Sequence, residues 1–289
     1  FADEHRTVSL PCIASNTDHT VFTGSYTVSG EPELIWYCFR FDRKDGSAVY
    51  LGKNGYCGEG EAVCWQQTVY DDTHKTPDWF GCGVTYQIFP DRFYRTAIPD
   101  PSGMTGDRVV HQRWNELMEY LPDENGIIHN RDFFGGNLAG IVEKLDYLEE
   151  LGVTVIYLNP IFEAFSNHRY DTADYMKIDP MLGTDEDLRK RCAEAKKRGM
   201  RVILDGVFNH TGSHSIYFNQ DGAYDTVGAA QSKDSPYYKW YQFKDYPDDY
   251  ESWWGIKTLP NVNEDEPTYL DYILRNPDSV VKHWLSYGI

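Results

Sequence analysis

Met200-Arg201-Val202-Ile203-Leu204-Asp205-Gly206-Val207-Phe208-Asn209-His210 is the stretch that decides how the rest of the chain is read. The short apolar run Val202–Leu204, preceded by a helix-like segment and Gly199, predicts a strand buried on both faces. It ends on the carboxylate of Asp205, with Asn209 and His210 close behind. Polar groups massed at the carboxyl end of such a strand are where α/β enzymes keep their sites. Taken alone, the same residues also suit a strand end capped by a turn-forming Asp beside a solvated His.

Working upstream, Thr184 predicts the cap of a helix over 185–198. Glu186 and Asp187 stand early in it, Lys196, Lys197 and Arg198 late, and Gly199 ends it. Val153–Leu158 is a second buried strand. Leu138 to Leu151 has apolar residues at helical spacing, Ile141, Leu145 and Leu148, with Gly152 as terminator. Val84–Phe89 is the first strand of this series, and the loop over about 95–135 is too long for an ordinary connection, which marks it as functional. Alternating strands and helices of this kind predict parallel βαβ units. Downstream, residues 207–272 break the alternation and form an excursion rich in Tyr, Trp, Asp and Gly. A helix is expected over 277–287, starting at Pro277 and carrying Val280, Val281, Trp284 and Leu285, after which Gly288-Ile289 would open a fourth strand.

Residues 1–76 read differently. Leu34–Phe41, Ala48–Leu51 and Ala62–Tyr70 are strand-like, with turn compositions at 42–46 and 52–55, so a small all-β, sandwich-like module is expected. The polar, proline-bearing segment 71–78 serves as a linker to a second domain over 77–289.

Composition bounds the partners. The formal net charge of −18 argues against a nucleic-acid backbone and against anionic membranes, and favours a neutral or cationic ligand. Aromatic residues make up 15% of the chain, and their flat faces suit neutral, hydroxyl-rich ligands such as sugars, although most such rings pack cores. No run is long enough to span a bilayer, and the first residues lack a signal pattern, which leaves a cytoplasmic or secreted location undecided. The six cysteines form no C-x-x-C pair; Cys57 and Cys64 suit either a hairpin bridge or two reduced thiols.

Six stretches, in order, carry a family resemblance. They are Tyr86-Gln87-Ile88-Phe89-Pro90-Asp91-Arg92-Phe93, Phe133-Phe134-Gly135-Gly136-Asn137-Leu138 and Leu158-Asn159-Pro160-Ile161-Phe162, followed by Asn167-His168-Arg169-Tyr170-Asp171-Thr172-Ala173-Asp174-Tyr175, Asp205-Gly206-Val207-Phe208-Asn209-His210 and Leu259-Pro260-Asn261-Val262-Asn263. Together they resemble the α-amylase family of retaining glycoside hydrolases, in its neopullulanase and cyclomaltodextrinase-like branch, over residues 77–289. The β-rich residues 1–76 resemble, less specifically, a carbohydrate-binding-like module.

The resemblance implies an α/β fold, a (β/α)8 TIM barrel of which about the first three βα units are present, with an inserted domain B over 207–272 after strand 3. It implies cleavage of α-1,4 glucosidic bonds in malto-oligosaccharides or cyclodextrins with retention, with α-1,6 cleavage left open beside it. Tyr170 would stack on the sugar before the scissile bond, and Asp205 and His210 would bind that same sugar. Asp171 would orient an arginine next to the nucleophile, and Asn209 would tie the barrel to the insert or hold calcium. Without that context, Tyr170 also suits a core aromatic and Asp205 a strand-end carboxylate held by backbone amides. His210 with His214 has a zinc-like spacing but lacks an acidic third ligand.

Retention requires a nucleophile and an acid/base. In the family both follow later strands, so no catalytic residue is expected within this chain. We expect a fragment, inactive alone, that needs the C-terminal half of a barrel of roughly 250 residues; a homodimer is left open. Calcium is not expected. Asn137 stands where the first family site has Asp, the loop Arg95–Asp100 is poor in ligands, and Asn261 replaces an Asp in the second. The rival reading is a non-catalytic glucan-binding protein.

Overall fold

The computed structural model describes residues 6–58, 62–73 and 75–289. Residues 1–5, 59–61 and 74, which fall in the expected first module and linker, lie outside the described residues, as does the side chain of Cys57. The chain divides into two compact units, Phe1–Pro77 and Asp78–Ile289.

The first unit carries β1 (Cys12–Ser15), β2 (Thr20–Phe22), β3 (Glu33–Tyr37), β4 (Phe39–Asp42), β5 (Ala48–Gly52), β6 (Gly55–Cys57) and β7 (Trp65–Val69). All pairings are antiparallel: β1 with β2, β3 with β7, and β4-β5-β6 as a meander. The run Leu34–Phe41, expected as one strand, is two. The chain breaks step at Cys38, so β3 joins β7 while β4 joins β5. Cys64 carries a free thiol, as do Cys12, Cys38, Cys82 and Cys192, so no bridge ties Cys64 to Cys57.

The second unit opens with a short turn of helix, α1 (Asp78–Gly81), and then β8 (Val84–Ile88). The long loop after it is pinned by two short parallel strands, β9 (Val109–Val110) and β10 (Asp132–Phe133). Where one helix was expected over 138–151 there are two, α2 (Leu138–Glu143) and α3 (Leu145–Glu150). At the junction Lys144 N bonds Ile141 O at 3.1 Å, a tighter three-residue step that interrupts the α-helical ladder. Asn137 caps α2 by accepting from Gly140 N at 2.7 Å. Next come β11 (Val153–Leu158), a hairpin of β12 (Phe162–Ala164) and β13 (Thr172–Ile178), α4 (Asp185–Lys197) and β14 (Arg201–Leu204). Thr184 and Asp187 form a reciprocal capping box at the start of α4.

β8, β11 and β14 form a parallel three-stranded sheet in the order β14-β11-β8. The strand expected to be buried on both faces is therefore an edge. Of its residues Val202 is buried, Ile203 and Leu204 are half-buried and Arg201 is exposed, because β14 is paired on one side alone within the described residues. Ile88, Ile141, Leu145, Leu148, Ile156 and Leu158 pack the core between sheet and helices. Burying such side chains stabilises by about 1.5–3 kcal/mol each.

After β14 the excursion contains β15 (Phe243–Asp245), β16 (Asp249–Tyr250) and α5 (Pro267–Leu270), and is packed around aromatic rings. The last helix, α6 (Val280–Leu285), starts three residues later than expected, with Ser279 as its N-cap residue. Trp284 Nε1 on it donates to Tyr175 O on β13 at 2.8 Å. No helix among the described residues is long and apolar enough to cross a membrane.

Candidate functional site

The polar ends of the β11 and β14 strand–loop junctions meet at the carboxyl edge of the parallel sheet. Asp205 directly follows β14, and its N–H bonds Leu158 O, the last residue of β11, at 2.9 Å. Its Oδ2 accepts from the Tyr170 phenol at 2.8 Å. The Tyr157 phenol stands near the same carboxylate; burial, with the Asp205 charge behind it, pushes that phenol above its ordinary value. Burial first, and the Asp205 bond second, push the Tyr170 phenol well up, so it stays neutral.

Tyr170 is presented by the loop of the β12–β13 hairpin. Asp171 folds this loop: its Oδ2 accepts from Phe165 N at 3.2 Å and Ser166 N at 3.1 Å, while Oδ1 takes the Ser166 hydroxyl. Tyr170 N bonds His168 Nδ1 at 3.0 Å, and the two rings lie 5.8 Å apart. Burial pushes the His168 imidazole down. Arg169 is fully buried with a left-handed φ of 62°. Its guanidinium and that of Arg108 share Asp179, at 3.2 Å and 2.9 Å, and both lie over the Phe133 ring. Two cations around one buried carboxylate compensate the cost of a residue in a strained backbone region.

His210 lies beneath this loop, 4% exposed. Its Nε2 donates to Tyr170 O at 3.1 Å, and its ring is 5.5 Å from that of Trp253. Burial lowers its pKa, against the opposing effect of the Tyr170 carbonyl, so the ring is neutral near pH 7. The neighbouring segments are laced together: His210 bridges Asn261, Val262 N bonds Asn209 O at 3.0 Å, and Thr211 N bonds Pro260 O at 3.1 Å. Asn209 thus ties the end of β14 to the excursion through its backbone, with its side chain exposed. Gly212 permits the closest approach, since a Cβ there would stand 2.6 Å from Asp171 O.

The structure therefore brings Tyr170, Asp171, Asp205 and His210 together and adds three residues that the sequence reading did not single out, Tyr157, His168 and Trp253. His168 lies inside a stretch already quoted; Trp253 sits more than forty residues beyond His210, and no local pattern signals it. His214 faces elsewhere, with Nδ1 2.8 Å from Asp221 and its ring stacked on Phe165 at 4.7 Å.

A calcium ion fits this donor set poorly. Asn261 Oδ1 is buried without a partner among the described residues, yet the nearby carboxylates of Asp171 and Asp205 are engaged with loop amides, the Ser166 hydroxyl and the Tyr170 phenol. No group of three His, Cys, Asp or Glu side chains among the described residues could hold a metal. The arrangement can present a neutral aromatic face, fixed from below, to an uncharged ligand. It offers no pair of free carboxylates.

The Alpha amylase, catalytic domain pattern matches residues 87–280. The chain is 42% identical to the amylopullulanase of Thermoanaerobacter thermohydrosulfuricus, over 88% of this chain and 19% of that protein. It is 34% identical to neopullulanase 2 of Thermoactinomyces vulgaris, over 88% of this chain and 41% of that one. Among solved structures it resembles the type III pullulan hydrolase from Thermococcus kodakarensis with a TM-score of 0.63 and 31% identity, covering 89% of this chain and 44% of the other. The chain thus spans less than half the length of each of these relatives. With two thirds of its residues inside the matched pattern and the motif-bearing loops gathered at the sheet's carboxyl edge, the chain belongs to the α-amylase family of glycoside hydrolases.

Proposed function

We propose that these residues form the sugar-holding part of an enzyme that cleaves α-1,4 glucosidic bonds of malto-oligosaccharides or cyclodextrins by a retaining mechanism. In this reading β8, β11 and β14 are the first three strands of a (β/α)8 barrel, residues 207–272 are its inserted domain, and residues 1–76 are an accessory sugar-binding module. The rest of the barrel completes the site.

The observation that carries the reading is the Tyr170 ring, tethered to Asp205 at the carboxyl edge of the sheet and supported by His210. An aromatic face fixes a sugar ring without charge, and a barrel enzyme keeps its substrate at this edge. Asp205 holds the phenol in place, His210 carries the Tyr170 backbone, and Asp171 shapes the loop that presents the ring. Asn209 joins the strand to the excursion.

Bond cleavage with retention needs one carboxylate as nucleophile and a second as acid/base, about 5–5.5 Å apart. Asp171 is spent on loop amides and Asp205 on the Tyr170 phenol, so we assign neither role within the 289 residues. Calorimetric titration of the purified 289-residue chain with maltoheptaose, beside a reducing-sugar assay, tests this. Binding without turnover is expected. Turnover would overturn the assignment of the carboxylates, and absence of binding would overturn the sugar-holding role.

A further inference from the structure

The excursion carries one large ring that packing does not explain. Trp254 is 85% exposed, more than any other Trp or Phe among the exposed large hydrophobics described. Its backbone sits at φ 51° and ψ 26°, a left-handed conformation that bulky side chains rarely adopt and that costs stability. The turn is closed around it. Trp253 N bonds Leu259 O at 2.9 Å, Gly255 N bonds Ser252 O at 3.1 Å, and Ile256 N bonds Trp253 O at 3.0 Å. A strained residue normally retreats to glycine or to a small polar side chain. Here it is a tryptophan turned to solvent.

The strain has a visible geometric result. The Trp254 ring lies 4.6 Å from Trp253 with an interplanar angle of 5°. Trp253 in turn lies 5.5 Å from the His210 ring, and His210 bonds the Tyr170 backbone. Three rings, His210, Trp253 and Trp254, therefore run from beneath the Tyr170 loop to the surface, and the outermost offers a flat face to water.

We propose that Trp254 is an outer stacking platform for the same ligand, receiving a glucose ring some units along a malto-oligosaccharide from the ring held at Tyr170. The proposal rests on the sugar-holding reading of the Tyr170 site. A neutral sugar is favoured over a macromolecular partner by the form of the surface. The residues that follow it, Gly255, Ile256, Lys257 and Thr258, are exposed and mixed in character, with Ile256 the one further apolar side chain among them, so Trp254 stands as a flat face with little apolar surface beside it in the chain. A ring of this kind meets the CH face of a sugar while the hydroxyl rim stays in water.

The test is calorimetric titration of the 289-residue chain with maltose and with maltoheptaose, using Trp254→Gly, Trp254→Phe and Tyr170→Ala. Trp254→Gly is expected to weaken maltoheptaose binding about tenfold while leaving maltose binding within about twofold, because the short sugar does not span both rings. Trp254→Phe should retain most of the affinity, and Trp254→Gly should melt no lower than the parent, since glycine relieves the strained φ. Unchanged maltoheptaose affinity in Trp254→Gly together with its loss in Tyr170→Ala would overturn the platform and leave the Tyr170 site standing. Equal weakening for both sugars would also overturn it. Loss of self-association in Trp254→Gly, seen by sedimentation with sugar affinity intact, would reassign the ring to a contact between copies. If the parent chain binds neither sugar, the platform and the site reading fall together.

Discussion

Tyr170 and Asp205 lie 35 positions apart, and the phenol of one donates to the carboxylate of the other at 2.8 Å. The bond joins a hairpin loop to the end of a sheet strand and leaves an uncharged ring at the junction. Tyr170→Phe keeps the ring and removes the bond. The melting temperature should fall by the equivalent of about 1 kcal/mol, with maltoheptaose affinity within about threefold. Tyr170→Ala should lose more than about tenfold in affinity. Equal losses in the two variants would show that the hydroxyl, not the ring, holds the sugar.

Asp179 is the shared partner of Arg108 and Arg169 and is completely buried. Asp179→Ala strands two buried cations and should cost about 3–5 kcal/mol in denaturant unfolding. Burial alone would push this carboxyl up, but the Arg169 charge and the Arg108 bonds hold it below the usual range. A depressed carboxyl contributes stability that is present above its ordinary value of about 3.9 and is lost as pH falls through the depressed one. The parent should therefore lose more stability on acidification below about pH 4 than Asp179→Ala does. Parallel acid titrations would refute this.

Arg191 presents the opposite case. It is buried on α4, and Nε, Nη1 and Nη2 lack hydrogen-bond partners among the described residues. Burial pushes its pKa down to about 10. Arg191→Met removes this unpartnered charge at similar length and should raise stability by about 1–3 kcal/mol in urea unfolding. A lower midpoint would mean that the guanidinium stabilises the fold.

The aromatic core of the excursion should resist alkali until it unfolds. Tyr217 touches Tyr175, Tyr237, Trp240 and Tyr272, and burial pushes both Tyr175 and Tyr217 well above the ordinary phenol value. For groups whose folded value is raised, the contribution to stability is full below about pH 10 and declines as pH climbs toward the raised value. Phenolate absorbance should rise in two stages, exposed rings first and the buried set together with loss of circular dichroism. A single smooth titration with the fold intact would contradict the packing.

The sequence made the alternation of strands and helices legible because each burying segment carries its own period, as Val153–Leu158 and the capped helix α4 illustrate. It misread β14 as doubly buried, since an apolar run records what a residue prefers to touch and not which neighbour is present. The β12–β13 hairpin was hidden because its loop is built from His, Arg and Asp rather than from turn-forming glycines. Tyr170, Asp171, Asp205 and His210 could be named in advance from short motifs. The burial of His210 under the loop could not, because it depends on Trp253 and the 260–262 segment arriving from far along the chain.

The bond from Trp284 Nε1 to Tyr175 O closes a separation of 109 residues. During synthesis at about 5–20 residues per second, β13 leaves the ribosome seconds before its clasp exists. The hairpin that presents Tyr170 must wait through the whole excursion before α6 secures it. Contacts of such long sequence separation slow folding, and the waiting intermediate exposes apolar surface. The most informative place to watch this protein acquire its site is therefore a stalled nascent chain, compared with and without the residues of α6.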